Sequence, residues 1–145
     1  MPFTFRLDPL ISIRDNVLKE KQAELAKAYE AQRIIEQKQL DTERSIEANL
    51  QSAREMQQLG KVDVTLLLGI RRYDMFLASQ LDEIRRHIAM IAEEIEIRRQ
   101  AVIEANKELK IIEKLKERKR EEYRVEERRK ETIEMDEIAG RKREV

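Results

Sequence analysis

The residue types that carry out catalysis are scarce in this chain of 145 residues. With one histidine, His87, and no cysteine, a single chain offers no histidine-based triad, two-histidine metal site or thiol nucleophile. Carboxylate pairs such as Glu93–Glu94 and Glu121–Glu122 point to different sides of a helix and do not converge. The three glycines, at 60, 69 and 140, are too far apart for a phosphate-binding loop. We therefore expect no enzyme, no metal and no cofactor.

The composition indicates long helices. The chain is 41% charged and 4% aromatic, and its three glycines and two prolines compare with roughly ten and seven at average usage. Its 30 basic and 30 acidic residues are interleaved, so no basic field favours nucleic acid. The N-terminus lacks signal-peptide features, and the apolar cluster at 64–70 is too short to span a bilayer. We expect a cytoplasmic protein without an integral membrane segment.

Turn-forming residues concentrate in one window, residues 60–69. Gly60 suits the left-handed conformation that ends a helix, and Asp63 or Thr65 suits the cap of the next. Near the N-terminus, Asp8 suits a cap and Pro9 a first helical position. The resulting boundaries are helix one at about 9–59, a turn at about 60–64, helix two at about 65–138 and a tail at 139–145.

The second helix carries a sustained seven-residue repeat. Twelve of fourteen positions in its two seam rows are apolar, where composition alone would give about six. Such a repeat predicts a left-handed coiled coil. The first row is Leu67, Asp74, Leu81, Ile88, Ile95, Val102 and Leu109; the second is Ile70, Leu77, Ile84, Ile91, Arg98, Ala105 and Ile112.

The first helix has a weaker seam, with eight apolar residues in fourteen positions and a polar middle formed by Gln32, Gln39 and Thr42. Arg98 interrupts the seam of helix two. Either its side chain reaches over this polar zone, near Gln32, or it fixes the register. The apolar residues of helix one are Ile11, Leu18, Leu25, Ala28, Ile35, Ile46, Ala53 and Met56.

These patterns predict an all-α fold, a long antiparallel coiled-coil hairpin of two helices with a C-terminal helical overhang. Folded near residue 62, helix one reaches back to about residue 115, where the seam of helix two also ends. Fourteen of the sixteen residues in 116–131 are charged. We expect this segment to have no intrachain partner, and to be either a solvated helix or an insert for another protein's socket.

Three stretches resemble the flagellar export protein family FliJ. They are "FRLDPLISIRD" at the N-terminus, "RRYDMFLASQLDEIRRHI" at 71–88, and "IIEKLKERKREEYRVEERRKETIEMDEIA" at 111–139. The resemblance covers the whole chain, and the single-turn architecture is similar too. It implies a non-enzymatic stalk of the type III export apparatus in bacterial flagellum biogenesis, hence in motility and chemotaxis.

The resemblance also implies partners. These are the hexameric flagellar export ATPase, whose pore receives both chain termini, the cytoplasmic domain of the export gate, and the export chaperones. The implied location is cytoplasmic, peripheral at the inner-membrane export apparatus. Residues of the charged segment expected at the ATPase ring are Lys116, Arg120, Tyr123, Arg124 and Arg128.

A second candidate surface follows helical spacing along one side of helix two: Tyr73, Phe76, Gln80, Glu83 and His87. It is a candidate for the export gate. Exposed aromatic side chains on a charged helix favour a binding surface, but Tyr73 and Phe76 could equally pack against the end of helix one. His87, one position before Ile88, could likewise be a partly packed residue at the flank of the seam.

The competing function is a generic coiled-coil scaffold or tethering protein. A basic-zipper nucleic-acid binder is disfavoured because Glu alternates with Arg throughout the charged segment, so phosphate would be repelled as often as attracted.

Overall fold

The computed structural model describes residues 2–60 and 63–143 and contains two helices, α1 (Asp8–Gln58) and α2 (Val64–Arg143). No strand occurs in these two ranges. The two helices pack against each other, which confirms the all-α hairpin predicted from the heptad pattern. Neither helix holds an apolar stretch long enough to cross a membrane, within the residues described.

The turn between the helices uses the residues that the sequence indicated. Gly60 has φ 69°, in the left-handed region, and Leu59 N donates to Glu55 O at 3.2 Å in the last turn of α1. Asp63 caps α2, since its Oδ1 accepts a hydrogen bond from Thr65 N at 3.0 Å. The remainder of the predicted turn, Lys61 and Val62, lies outside the described residues.

The outer ends of the helices differ slightly from expectation. The first helical bond of α1 runs from Ile11 N to Leu7 O at 3.1 Å, so Leu7, rather than Asp8, occupies the cap position. The helix α2 continues to Arg143, past the expected end at about 138. Its last turn is basic, which favours a helix C-terminus, and Gly140 is tolerated there without a break. Glu144 and Val145 of the predicted tail lie outside the described residues.

The heptad seams are the least exposed rows of both helices. None of the fourteen seam positions in either helix is exposed, including the polar ones. The seven most buried side chains, at most 9% exposed, all lie on these rows: Leu18, Ala28, Ile35, Leu77, Ile95, Ala105 and Leu109. The seam assignment made from sequence is therefore confirmed, even for the weak repeat of α1.

The chain divides into two compact units. One combines the described parts of Met1–Lys21 and Ala101–Val145, with a core of Leu18, Ala105 and Leu109. Beside this core, Arg14 Nη1 donates to Glu108 Oε2 at 2.7 Å.

The other unit is Gln22–Gln100, where two polar seam residues reach the facing helix. Asn49 Nδ2 donates to Ile70 O at 2.9 Å, and Arg98 Nη1 donates to Glu24 O at 2.6 Å. Arg98 was expected near Gln32, and that placement is wrong. A tight turn pairs each residue of α2 with one about equally far before the turn, and for Arg98 that residue is Glu24. The cross-helix hydrogen bond agrees with the register-fixing interpretation of Arg98.

Burial predicts a sharp difference in stability effect between two apolar residues of α2 that are two positions apart. Leu109 is 6% exposed and Ile111 is 67% exposed. We expect Leu109→Asp to lower the free energy of unfolding by about 3 kcal/mol or more, because it removes seam packing and buries a carboxylate. Ile111→Asp should change it by less than about 0.5 kcal/mol. Thermal unfolding followed by circular dichroism measures both, and equal losses would contradict the seam.

Candidate functional site

The aromatic pair near the start of α2 is solvent-accessible. Tyr73 is 47% exposed and Phe76 is 54% exposed. Their rings stack on one another, with centroids 6.3 Å apart and planes 23° from parallel. Both residues are about half exposed, so neither is buried under α1. The pair offers an apolar contact point on a charged helix.

Gln80, Glu83 and His87, which follow the aromatic pair on the same side of α2, line an open groove together with residues of α1. His87 stands at one end, where the groove adjoins a second, mainly apolar depression. The polar groove is lined by Ile35, Lys38, Asp41, Thr42, Gln80, Glu83, Ile84 and His87. The apolar depression is lined by Ala31, Ile34, Ile35, His87, Met90 and Ile91. We call the side formed by Tyr73, Phe76, Gln80, Glu83 and His87 the aromatic stripe.

The contribution of α1 to this groove was missed at the sequence level. In α1, Ala31 and Lys38 each come one residue before a seam position. In α2, Gln80 and His87 occupy the same heptad position, one residue before Leu81 and Ile88. In an antiparallel pair these equivalent positions lie on the same side of the seam. The heptad phase therefore contained the signal. His87 is exposed, although it also borders the buried Ile35.

The charged segment 116–131 is held by ion pairs within α2. Acidic and basic side chains three residues apart lie 3.2–4.0 Å from each other in five pairs. Each such pair contributes about 0.2–0.5 kcal/mol to an isolated helix. The pairs are Glu117–Arg120, Lys119–Glu122, Glu121–Arg124, Glu126–Arg129 and Glu127–Lys130.

The beginning of the charged segment has an intrachain partner, contrary to expectation. Residues Pro2–Leu7, here called the strap, precede α1 and line an open depression together with residues of α2 between Leu115 and Glu126. Phe3 lies 5.5 Å from the Tyr123 ring, centroid to centroid, and the Arg120 guanidinium lies 5.9 Å from the Phe3 centroid. The packed part of this unit therefore extends to Tyr123, past the predicted limit at Leu115.

The strap has a sequence signal that helix-based reasoning overlooked. Phe3, Phe5 and Leu7 are partly buried, whereas Thr4 and Arg6 between them are exposed. Alternation of this kind is typical of an extended segment that packs one face. The error arose because residues before the first helix were assigned no partner.

The five residues predicted for the ATPase ring fall into two groups. Lys116, Arg120 and Tyr123 are partly buried, and Lys116 Nζ lies 2.7 Å from Asp8 Oδ1. Arg124 and Arg128 are exposed, on the part of α2 beyond the strap contacts. From residue 124 to 143 every side chain is exposed except that of Glu127. Across the described ranges, the acidic and histidine side chains form no cluster that could hold a metal ion.

Comparison with known proteins gave one family and one solved structure. The family model described as "Flagellar FliJ protein" matches residues 3–143, from the strap to the end of α2. The structure is that of a candidate YscO homolog, CT670, from Chlamydia trachomatis. It is 22% identical, the alignment covers 95% of this chain and 93% of that chain, and the TM-score is 0.46. The search of curated proteins found no match.

Two adjacent residues of α2 near the aromatic stripe differ strongly in exposure. Phe76 is 54% exposed, whereas Leu77 is 4% exposed. We expect Leu77→Ala to lower the free energy of unfolding by about 2–4 kcal/mol through lost seam packing. Phe76→Ala should leave it within about 0.5 kcal/mol. Urea titration monitored by helicity distinguishes the two; a large loss for Phe76→Ala would make this residue part of the core and remove it from the candidate surface.

Proposed function

The chain belongs to the flagellar FliJ family and is a component of type III export, and we propose that it is the stalk joining the export ATPase to the export gate. In this role it inserts the end of α2 into the pore of the hexameric ATPase and presents the aromatic stripe to the cytoplasmic domain of the gate. The observation that supports the proposal most is the exposed, highly charged helix at residues 124–143.

The proposed ATPase contact is supported by the high charge of that helix. A pore-inserted helix with a wide apolar face would bind one wall tightly and oppose movement of the ring. The end of α2 is instead mostly charged, and its exposed ion pairs each contribute little. The exposed apolar side chains among these charges are Val125, Ile133, Met135 and Ile138. Arg124 and Arg128 are the exposed cations predicted for this contact. Many weak, screened interactions fit a socket whose subunits change conformation during ATP hydrolysis.

The proposed contact with the export gate is supported by the aromatic stripe. Two exposed, mutually stacked rings followed by a polar groove combine an apolar anchor with polar groups that orient a partner. Such anchors dominate many protein interfaces. The groove is formed by side chains of both helices, so the surface depends on an intact seam.

The remaining parts of the proposal derive from family membership. The stalk acts without catalysis of its own, associates with export chaperones, and works in the cytoplasm at the inner-membrane export apparatus. The competing role, a generic scaffold, predicts no specific contact with the export ATPase.

A truncation tests the ATPase contact. A chain ending at Tyr123 keeps the contacts of Phe3 with Arg120 and Tyr123 and the ion pair between Asp8 and Lys116, so its thermal midpoint should stay within a few degrees of that of the full chain. Its binding to the export ATPase, measured in pull-downs and by stimulation of ATP hydrolysis, should fall at least about tenfold. The contact of the full chain should weaken as ionic strength rises above about 0.15 M.

A matched control for this experiment is a chain ending at Glu134, which retains Arg124 and Arg128 and should bind close to normally. Normal binding by the chain ending at Tyr123 would show that residues 124–143 are only a solvated extension. Salt-independent binding would contradict the electrostatic character of the contact.

Two adjacent residues test the gate contact. Phe76 and Met75 are both exposed, at 54% and 70%, but successive helical residues point in different directions. We expect Phe76→Ala to weaken binding to the gate's cytoplasmic domain about tenfold or more, as loss of an anchor residue does. Met75→Ala should leave binding unchanged. Calorimetry or surface plasmon resonance measures both, and equal effects would show that the stripe does not define the interface.

A further inference from the structure

We infer that the strap, Pro2–Leu7, is a releasable cover for part of the surface proposed to contact the ATPase ring. The inference rests on the proposed ATPase contact and adds a regulatory step to it. In the free chain Phe3 of the strap contacts Arg120 and Tyr123, and the neighbouring Asp8 pairs with Lys116. These contacts are released when the partner engages.

The geometry places three different contacts over those three residues. The Phe3 ring makes two of these contacts. Its centroid lies 5.5 Å from the centroid of the Tyr123 ring and 5.9 Å from Cζ of Arg120. The third contact is the 2.7 Å ion pair between Asp8 and Lys116, just past the strap. These contacts cover the side chains only in part, since that of Lys116 is 30% exposed and that of Arg120 is 40% exposed.

The contacts also explain how the strap can leave. They are made by side chains, and the ion pair is open to solvent, with 30% of the Lys116 side chain and 50% of the Asp8 side chain exposed. Exposed ion pairs and single ring contacts are individually weak. Residues 2–5 have no regular secondary structure, and residues 6–7 form a turn closed by the bond from Asp8 N to Phe5 O at 3.2 Å. Leu7 O accepts the first helical bonds of α1, from Leu10 N and Ile11 N. Release of residues 2–4 therefore breaks none of the backbone hydrogen bonds described and leaves the seam intact.

The strap further indicates what the surface recognises. It presents an aromatic ring to Arg120 and Tyr123, and Asp8 presents a carboxylate to Lys116. A competing partner segment is expected to carry the same pair of groups, an apolar or aromatic side chain and a carboxylate, on the wall of the ATPase pore.

Competition of this kind has a quantitative consequence. When only a fraction of the free chains has the strap released, the apparent dissociation constant is raised by the inverse of that fraction. If the strap is closed in about nine chains of ten, opening it permanently should tighten ATPase binding about tenfold.

The test uses the full-length chain with Phe3→Ala, which removes the ring and leaves Lys116, Arg120 and Tyr123 in place. Amide hydrogen exchange of residues 116–123, followed by mass spectrometry, reports whether the strap closes in solution. Titration with the export ATPase reports affinity. Phe3→Tyr keeps an aromatic ring, and Thr4→Ala changes an exposed strap residue; both should match the unaltered chain in both measurements.

The expected result is faster exchange at 116–123 and about tenfold tighter binding for Phe3→Ala. Weaker binding would overturn the cover and make the strap part of the bound surface. Unchanged exchange would show that the strap does not close in solution, which also overturns the cover while leaving the ATPase contact of the unaltered chain standing. A third outcome is faster exchange at 116–123 in Phe3→Ala, with no ATPase binding by the unaltered chain or by any of the three variants. It would overturn the proposed ATPase contact, and with it the competition between the strap and the ATPase.

Discussion

The pairing of the two heptad seams is the interaction on which the rest of the molecule depends. Two helices form no enclosed core, and the most buried side chains of the described residues are confined to the seam rows. Each seam residue is covered by one facing helix and flanked by solvent, so stability is spread thinly along the whole seam. Three polar seam residues, Arg14, Asn49 and Arg98, each donate to the opposite helix. Polar groups placed in this way favour one register over shifted alternatives, which an apolar seam alone does poorly.

The seam also decides where function can lie. It uses two of every seven positions, and most residues at the other five are exposed and free to carry charge or contact groups. In the unit Gln22–Gln100 the positions beside the seam carry the stripe and the groove. In the other unit α2 continues beyond the residues that face α1. There its apolar seam ends, and its side chains form ion pairs within the helix. Because those pairs are exposed, they maintain the helix and its solubility without creating a surface that binds indiscriminately.

Sequence reasoning was accurate where a periodic signal was long. The fourteen seam positions of each helix, the left-handed Gly60 and the Asp63 cap all follow from heptad phase and local backbone chemistry. It was inaccurate where the partner was distant and irregular. Arg98 was paired two helical turns too far toward the turn, because the expected partner was not placed at equal spacing on the other side of the turn, which leads to Glu24. The strap was missed because a short extended segment before a helix lies outside the helical period.

The strap changes the physical meaning of the charged segment. Taken alone, "LKERKREEYRVEERRKE" is a helix with one tyrosine and one valine to pack. Tyr123 finds a ring at 5.5 Å, whereas Val125 stays 55% exposed, so the boundary between packed and solvated helix lies between these two residues. A tilted ring pair contributes about 0.5–1.5 kcal/mol and an exposed ion pair about 0.2–1 kcal/mol. Contacts that are individually this weak are suited to exchange with a partner, which is why we place the N-terminal segment in the proposed functional surface.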